Sequence, residues 1–336
     1  MKKINLLIIL IFPFFSFTQS GLESMIYAYE NDSKKMLQSY LSPLMKGAIY
    51  SSNGGWFSTA KVHKKFGFDL SLKLNLSFAP KSDQFFSINN LDYVTSSAEN
   101  LPTIIGESRV EKIIITIPTD GIIPELTTTV STPKGIKNKF PLGGVPAPIL
   151  QLGVGLPFNT EAVIRYSPEY HKQGIDMTLK GIGFKHDLMQ YFNPFTRFPL
   201  KISAFSSFSK MDIDYDIQSY SSIDGSDQFS EFSLNNYNVL LVYSIDLPII
   251  SFYGSLGYSG GSSSFKMLGE YNLNYVSENN IPFQRNLVDP IDMRFEVNDF
   301  QTSFGIKYKF TVFSASLDYT FQNYNTISIG IAANIR

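Results

Sequence analysis

Residues 69–78 alternate strictly between polar and apolar side chains over ten positions. Successive side chains of a strand point to opposite faces, so this pattern predicts a strand with one apolar and one polar face. Ten residues is also the length with which a tilted strand crosses a bilayer. The segment therefore predicts a membrane-crossing strand between lipid and a wet interior. Its apolar face would carry Leu70, Leu72, Leu74, Leu76 and Phe78, and its polar face Asp69, Ser71, Lys73, Asn75 and Ser77.

The N-terminus has the pattern of a secretion signal. Lys2 and Lys3 precede an apolar run from Ile4 to Phe17, which is shorter than the ~20 residues of a membrane-spanning helix. We expect residues 1–18 to be a signal peptide cleaved near Thr18/Gln19, and cleavage before Gly21 is the alternative.

The composition favours a membrane barrel over a soluble domain. Aromatic residues make up 15% of the chain and charged residues 17%, whereas soluble domains carry about 25% charged residues. Lipid-facing strands with aromatic girdles need this balance. The net charge of −1 argues against a nucleic-acid partner. The absence of cysteine excludes disulfides, thiol catalysis and cysteine metal sites.

The same alternation recurs along the chain. It predicts an all-β fold, a transmembrane antiparallel outer-membrane β-barrel of 10–14 strands with 10–12 as the best count, occupying residues 65–336. An even number would bring the first and last strands to one, periplasmic, side. The predicted strands lie near 66–80, 147–156, 159–168, 174–190, 198–217, 229–247, 250–276, 289–310, 312–322 and 324–336.

The connections between these strands have two lengths. Short turns are predicted around Pro157, Pro194, Pro248 and between Phe310 and Phe313. Longer polar connections are predicted near 168–174, 218–228 and 277–290. Outer-membrane barrels have this asymmetry, with short periplasmic turns and long external loops. Several strands exceed the ~9–11 residues that a bilayer needs and should project beyond it.

Residues 81–146 interrupt the alternation and contain six prolines. They form a long insertion. Val110–Pro118 and Ile122–Ser131 could add a hairpin to the barrel, or the segment could be a large external or inward-folded loop.

Residues 19–64 differ from the barrel in kind. Helical spacing from Leu22 to Leu41 predicts a helix of about eighteen residues that ends at Ser42-Pro43. The pair Gly54-Gly55 and the only tryptophan, Trp56, follow it. We expect this segment to sit on the periplasmic side, to cap the barrel or to plug it.

Little in the sequence indicates chemistry. The three histidines, His63, His171 and His186, lack ligand-like neighbours, so we expect no metal, no cofactor and no enzymatic activity. A phospholipase would need a Ser–His–Asn constellation on the barrel wall, and only His186, beside Asp187, is loosely placed for it. The acidic run Met211–Asp216 could hold Ca²⁺ with Asp224 and Asp227, but solvated strand polarity explains it better.

Three stretches carry a resemblance to a known family. They are residues 40–44 with Asn53–Lys61 leading into Gly67–Leu70, then Gln151–Pro157, and the ending Asn323–Arg336. Together they resemble a family of exported Bacteroidota proteins of unknown function, and the Gly-Trp-Phe-Ser-Thr-Ala segment is the most specific part. The resemblance implies an outer-membrane location and supplies no activity.

The layout is more distantly similar to FadL-type transporters of hydrophobic compounds. Those barrels have fourteen strands and an N-terminal plug with an Asn-Pro-Ala element. Here Ser42-Pro43-Leu44 takes a comparable place, but the element is missing and fewer strands are counted. The resemblance implies no binding residue for this chain.

Two functions remain from the sequence. The first is a passive channel or transporter for small hydrophobic molecules in the outer membrane of a Gram-negative cell, with Leu41, Leu44, Trp56 and Phe57 lining the ligand path. Those residues could instead simply pack the plug against the wall. The second function is a structural or adhesive barrel without transport. In both cases we expect the lipid bilayer, lipopolysaccharide and the outer-membrane assembly machinery as partners.

Overall fold

The computed structural model of the protein describes residues 24–117, 126–172, 175–192, 199–216, 223–276 and 282–335. Within these ranges no helix has the length and apolar character needed to cross a membrane. Helix α1 spans Glu30–Asn53. Single 3₁₀ turns lie at Lys81–Gln84, Lys137–Lys139, Pro141–Gly143 and Met189–Tyr191.

Ten of the strands in the described residues form a closed antiparallel ring, as the alternation predicted. Each pairs with its neighbour around the ring, and β11 closes it by pairing with β12. The ring consists of β1 (Phe68–Ser77), β7 (Val145–Leu156), β8 (Thr160–Lys172), β9 (Ile175–Asp187), β10 (Leu200–Asp216), β11 (Gly225–Asp246), β12 (Ile250–Val276), β14 (Ile291–Phe310), β15 (Phe313–Phe321) and β16 (Thr326–Ile335). Strand β13 (Pro282–Val288) pairs only with the far end of β12.

The two faces of the wall divide as the sequence pattern requires. On β1, Lys73 and Asn75 are 3% and 0% exposed and face the lumen, whereas Leu70 is 49% exposed on the outside. The outer face is apolar around the whole ring, which is the surface that lipid requires. Further exposed members include Leu150, Ile164, Ile182, Phe208, Val239, Leu256, Phe304, Leu317, Ile329 and Ile331. The fold is that of a transmembrane β-barrel of the outer-membrane type.

The two ends of the barrel differ. At the turn end, residues 157–159, 247–249 and 311–312 connect neighbouring strands. At the opposite, insertion end, β1 leads into residues 78–144. The turn end also carries exposed aromatic side chains, as interfacial belts do. These are Phe66, Phe158, Tyr191, Phe192, Phe310 and Phe313.

One predicted connection does not have the predicted length. Strands β8 and β9 run to Lys172 and from Ile175, so the long connection expected near 168–174 is wrong. The two strands stay paired up to these residues, with one register shift between Ser167 and Tyr170. At the other end β9 stops at Asp187 and β10 starts at Leu200. The short turn predicted there, around Pro194, lies outside the described residues.

Helix α1 begins later and ends later than predicted, and Pro43 lies inside it. Proline removes a main-chain donor and crowds the preceding turn, which usually ends or kinks a helix. Here the Tyr40 carbonyl accepts a hydrogen bond of 3.1 Å from Ile104 N, so the insertion supports the disturbed turn. The apolar spacing continues beyond Pro43 at Leu44, Met45, Ala48 and Ile49, so the proline alone misplaced the predicted end. Ile49 and Tyr50 pack inside the barrel against Leu234, Val297 and Tyr324.

The insertion builds a separate layer at its end of the barrel. It contains β2 (Phe85–Ser87) paired with β4 (Asn100–Pro102), and β3 (Val94–Ser96) paired with β5 (Lys112–Ile117). Strand β5 also pairs with β6 (Leu126–Ser131). The predicted hairpin therefore exists, but it belongs to this small sheet and adds no strand to the barrel. Its isoleucines Ile113 and Ile115 are fully buried in a core shared with helix α1 and the long barrel strands.

Candidate functional site

The lumen segment, residues 51–64, runs from the end of helix α1 through the barrel to the turn end. Asn53 Nδ2 donates to Gly260 O at 3.1 Å near the middle of β12. Further along, Ser203 Oγ donates to Ala60 O at 2.6 Å, and Phe66 N donates to Gly155 O at 2.8 Å. The contacted wall residues lie progressively nearer the turn end, so the segment follows the barrel axis and fills the lumen.

The residues that precede helix α1 lie at the insertion end. Tyr275 Oη donates to Tyr27 O at 2.9 Å, and Ser24 Oγ donates to Ser131 O at 2.8 Å. Strands β1 and β16 do start and finish at the turn end, as the even count predicts. The expectation that the N-terminal segment shares that side is wrong for residues 24–29, because the chain returns through the lumen before entering β1.

Arg165 holds the start of the lumen segment. Its guanidinium donates to Ser52 O at 2.7 Å, to Gly54 O at 2.6 Å and to Gln151 Oε1 at 3.2 Å. The same group lies 3.5 Å from the centre of the Trp56 ring, a cation–π distance. Arg165 is 1% exposed. A planar, five-donor group suits this position because the segment leaves helix α1 with unpaired carbonyls.

Asn75 on β1, two strands along the wall from Arg165 on β8, binds the same turn. Its Nδ2 donates to Ser51 O at 2.8 Å and to Gly54 O at 3.0 Å. Gly55 adopts φ +71°, and a Cβ there would collide with Asn75 Oδ1. Glycine is therefore required at Gly55, because the backbone is left-handed there and the Asn75 side chain leaves no room for a Cβ.

An apolar cluster anchors the middle of the segment. Trp56 is 2% exposed and packs with Phe205 at a ring-centre distance of 5.8 Å. Phe57 meets the same ring edge-on at 5.5 Å. The rest of the cluster consists of Ala60, Val163, Leu240 and Val242. Trp56 Nε1 has no hydrogen-bond partner among the described residues.

Charged groups surround the segment where it reaches the turn end. His63 Nδ1 lies 2.7 Å from Glu161 Oε2, and Lys185 Nζ lies 2.9 Å from Glu161 Oε1. His63 Nε2 lies 3.4 Å from Asp69 Oδ1. Glu161 and Lys185 are 3% and 2% exposed, so this is a largely desolvated network in which each group has a partner.

The carboxylate of Asp246 binds the segment in the same region. Thr59 Oγ1 donates to Asp246 at 3.0 Å, and Ser244 Oγ donates to it at 2.7 Å. Lys309 Nζ lies 3.3 Å from Asp246 Oδ1. No group of three or more His, Cys, Asp or Glu side chains in the described ranges could hold a metal ion.

The four residues predicted to line a ligand path fall into two separate clusters. Leu41 and Leu44, on helix α1, belong to the core shared with the insertion. Trp56 and Phe57 belong to the cluster around Phe205. The structure does not bring the two pairs together, and their role in a path stays a prediction.

His186 has only neutral polar neighbours in the described residues. Its Nδ1 lies 2.8 Å from Thr160 Oγ1, and its Nε2 lies 3.1 Å from Tyr191 Oη and 3.0 Å from Gln190 Nε2. No carboxylate of the described residues contacts the ring, so these contacts do not form a Ser–His–Asp arrangement.

Sequence reasoning missed the wall residues that hold the segment. Arg165, Asn75, Glu161 and Lys185 all occupy inward positions of alternating strands, which was the available signal. That signal selects every inward side chain alike. Which of them touch the segment depends on its path through the lumen, which no local pattern contains.

The comparisons with known proteins identify one family. The model of DUF6588, a family of unknown function, matches residues 1–335. No curated protein matches the chain in sequence.

Solved structures with similarity to the chain are bacterial β-barrel proteins at low identity. The attachment invasion locus protein Ail of Yersinia pestis is 9% identical, with 81% of this chain and 99% of Ail covered and a TM-score of 0.28. The translocator domain of the autotransporter NalP from Neisseria meningitidis is 12% identical, with 87% and 93% covered and a TM-score of 0.26. The outer-membrane transporter YddB of Escherichia coli is 11% identical, with 80% and 41% covered and a TM-score of 0.28. At these scores the fold assignment rests on the strand pairing itself.

Proposed function

Since the chain belongs to DUF6588, a family of unknown function, we propose its role from the barrel itself: an outer-membrane protein that is kept closed by its own N-terminal segment and that presents its insertion end at the cell surface. The observation that carries this proposal is the filled lumen. Arg165, Asn75, Ser203 and Gln151 all bind main-chain oxygens of the lumen segment.

Closure follows from the cost of withdrawing the segment. Barrels of about this strand number have interiors that side chains can fill. If the lumen segment left, its partners on the wall would lose hydrogen bonds, and each buried polar group without a partner costs about 1–3 kcal/mol. The charge network around Glu161 would lose His63 in the same step. The filled arrangement is therefore the stable one.

Surface presentation follows from the strand lengths. A bilayer needs strands of about 9–11 residues, whereas β11, β12 and β14 have 22, 27 and 20. Their extra length lies at the insertion end, where Tyr271 and Phe295 pack with helix α1 and the insertion. Short turns face the periplasm in barrels of this kind, which would put the insertion end outside the cell. The apolar outer wall and the aromatic belt of the barrel would contact lipid and lipopolysaccharide. The barrel would be inserted by the outer-membrane assembly machinery.

Transport of small hydrophobic molecules, in the manner of FadL-type barrels, is the second candidate. One observation favours it: an apolar groove of about 550 Å³ on the outer wall, lined by Tyr243, Phe252, Phe304, Ile306 and Leu317 among others. We rank it second because the wall around the lumen segment is mainly polar and because the predicted path residues are separated.

A removable tether distinguishes the two candidates. The chain has no cysteine, and a Cβ on Gly54 would lie 3.1 Å from Ser328 Oγ on β16. The double variant Gly54→Cys, Ser328→Cys can therefore form a disulfide between the lumen segment and the wall. The single variants Gly54→Cys and Ser328→Cys are the matched controls.

Uptake of small sugars and of a fluorescent fatty acid into liposomes is then measured with the disulfide oxidised and reduced. We expect both states to match liposomes without protein, because the lumen is closed with or without the tether. Uptake that rises on reduction of the double variant alone would overturn the closed barrel and establish transport that requires the segment to move.

A further inference from the structure

Two lysines approach the same stretch of lumen wall near the turn end. In the strand register, Lys73 on β1 lies opposite Gly330 on β16, Gly330 opposite Ser316 on β15, and Ser316 opposite Lys307 on β14. All four positions face inward. Because the two residues between the lysines are small, nothing on the wall separates the two long side chains.

Lys73 lies flat across this gap. A Cβ on Gly330 would meet the Lys73 side chain, with Nζ only 2.7 Å away. The Lys73 ammonium reaches Ser316 Oγ, to which it donates at 2.9 Å. It is 3% exposed, and no carboxylate of the described residues lies within ion-pair distance of it.

Lys307 is the less satisfied of the two. It is 8% exposed, and no described residue forms a hydrogen bond or an ion pair with its ammonium group. The hydroxyl of Ser71, two residues from Lys73 on the same inward face, is also buried without a partner in the described part of the chain. Two buried cations thus approach one place on the lumen wall, at Ser316.

None of the nearby carboxylates in the described residues contacts Lys73 or Lys307, although the charge of Asp318 acts on Lys73 from a distance. Asp318 accepts from Tyr253 Oη at 2.9 Å, and Asp246 pairs with Lys309 at 3.3 Å. Glu161 pairs with Lys185 and His63, and Asp69 lies against His63. The protein therefore supplies no counter-charge in direct contact with Lys73 or Lys307, although burying an unpaired charge is expensive.

We propose that Lys73 and Lys307 bind a small oxyanion, a phosphate or carboxylate group, with Ser316 as a further hydrogen-bond partner. The anion enters from the turn end, where Asp69 and His63 have side-chain exposures of 17% and 19%. Lysine ammonium groups are strong donors to such anions. The inference does not rest on the barrel being closed, since the site lies on the wall and not on the lumen segment.

The test is titration calorimetry of the purified full chain in detergent with inorganic phosphate, and separately with acetate and chloride. The variants are Lys307→Met, Lys307→Arg and, as the matched control, Lys309→Met, whose lysine already has a carboxylate partner. We expect saturable phosphate or acetate binding that weakens about tenfold or more in Lys307→Met. Lys307→Arg and Lys309→Met should bind within about twofold of the original chain. Phosphate binding with weaker acetate binding identifies a phosphate group, and the reverse identifies a carboxylate.

Thermal unfolding shows whether Lys307→Met is folded, so that a loss of binding is not mistaken for a loss of structure. Phosphate or acetate should raise the unfolding temperature of the original chain and not that of Lys307→Met. In buffer without oxyanions, Lys307→Met should be at least as stable as the original chain, because it removes an unpaired buried charge. Equal binding by the original chain and Lys307→Met, or the absence of saturable oxyanion binding, would overturn the proposal.

Discussion

The insertion-end half of helix α1 and the start of the lumen segment lie close along the chain and are held in different ways. In the helix, Met36, Leu37 and Tyr40 are fully buried in an apolar core shared with the insertion. In the lumen segment, Arg165 and Asn75 hold main-chain oxygens by hydrogen bonds. An apolar core tolerates exchanges of similar volume, whereas a buried polar network depends on every partner. The first region builds the surface layer, and the second closes the barrel.

Among the substitutions, the removal of Arg165 should destabilise the hydrogen-bonded lumen segment most. Arg165→Ala leaves Ser52 O and Gln151 Oε1 without their donor, leaves Gly54 O with Asn75 as its one donor, and removes the cation–π contact with Trp56. Since each such buried acceptor costs about 1–3 kcal/mol, we expect a loss of roughly 3–6 kcal/mol. Trp56 is the only tryptophan and touches Arg165, so urea unfolding followed by its fluorescence reports on this region directly.

The matched control is Arg294→Ala. Arg294 forms an exposed ion pair with Glu296 at 2.9 Å, and such pairs contribute about 0–1 kcal/mol. Equal losses in the two arginine variants would contradict a special role for Arg165.

Leu37→Ala should destabilise the apolar core between helix α1 and the insertion and leave the lumen segment in place. Deleting a fully buried leucine side chain costs about 2–4 kcal/mol. Limited proteolysis should then cut the insertion, residues 78–144, faster than in the original chain. The Trp56 fluorescence transition should stay in place, because Trp56 belongs to a different cluster. A Trp56 transition that moves as far as in Arg165→Ala would show that the two halves unfold as one unit.

Gly55→Ala tests the turn that joins helix α1 to the rest of the lumen segment. The residue has φ +71°, and a Cβ would strike Asn75 Oδ1, so we expect a loss of about 1–2 kcal/mol from the backbone alone. Gly54→Ala is the matched control, since Gly54 has an ordinary φ of −72°. Urea unfolding measures the free energy of unfolding of both variants. A larger loss of stability in Gly54→Ala than in Gly55→Ala would contradict this account of the turn.

Tyr40→Phe should have the smallest effect. It removes the hydrogen bond of 3.1 Å from Tyr40 Oη to Lys134 O while keeping the ring in the apolar core. We expect about 1 kcal/mol, measured as faster proteolysis of the insertion. A loss as large as that of Leu37→Ala would mean that polar contacts dominate this half as well.

Strand periodicity made most of the barrel predictable. The segment 250–276 was predicted with the bounds that β12 has, and β14 differs from its prediction only at its start. Alternation works here because lipid outside and polar groups inside constrain every second residue. The same rule predicted which face of β1 lies inward.

The path of the N-terminal segment was not predictable in the same way. The helix was predicted to end at Pro43, because proline usually ends a helix. A prediction from neighbouring residues cannot include the hydrogen bond that Ile104 of the insertion donates to Tyr40 O. The direction of threading depends on contacts such as that of Asn53 with Gly260, which lie far apart in sequence. The site residues depend on that path and were missed with it.

Cysteine labelling on intact cells tests the threading through the barrel most directly. Asn31→Cys lies on the exposed first turn of helix α1 at the insertion end, and Lys65→Cys lies exposed at the turn end. We expect a membrane-impermeant maleimide to label the first variant on intact cells and the second only after the outer membrane is permeabilised. Labelling of both variants only after permeabilisation would contradict a segment that spans the lumen from one mouth to the other.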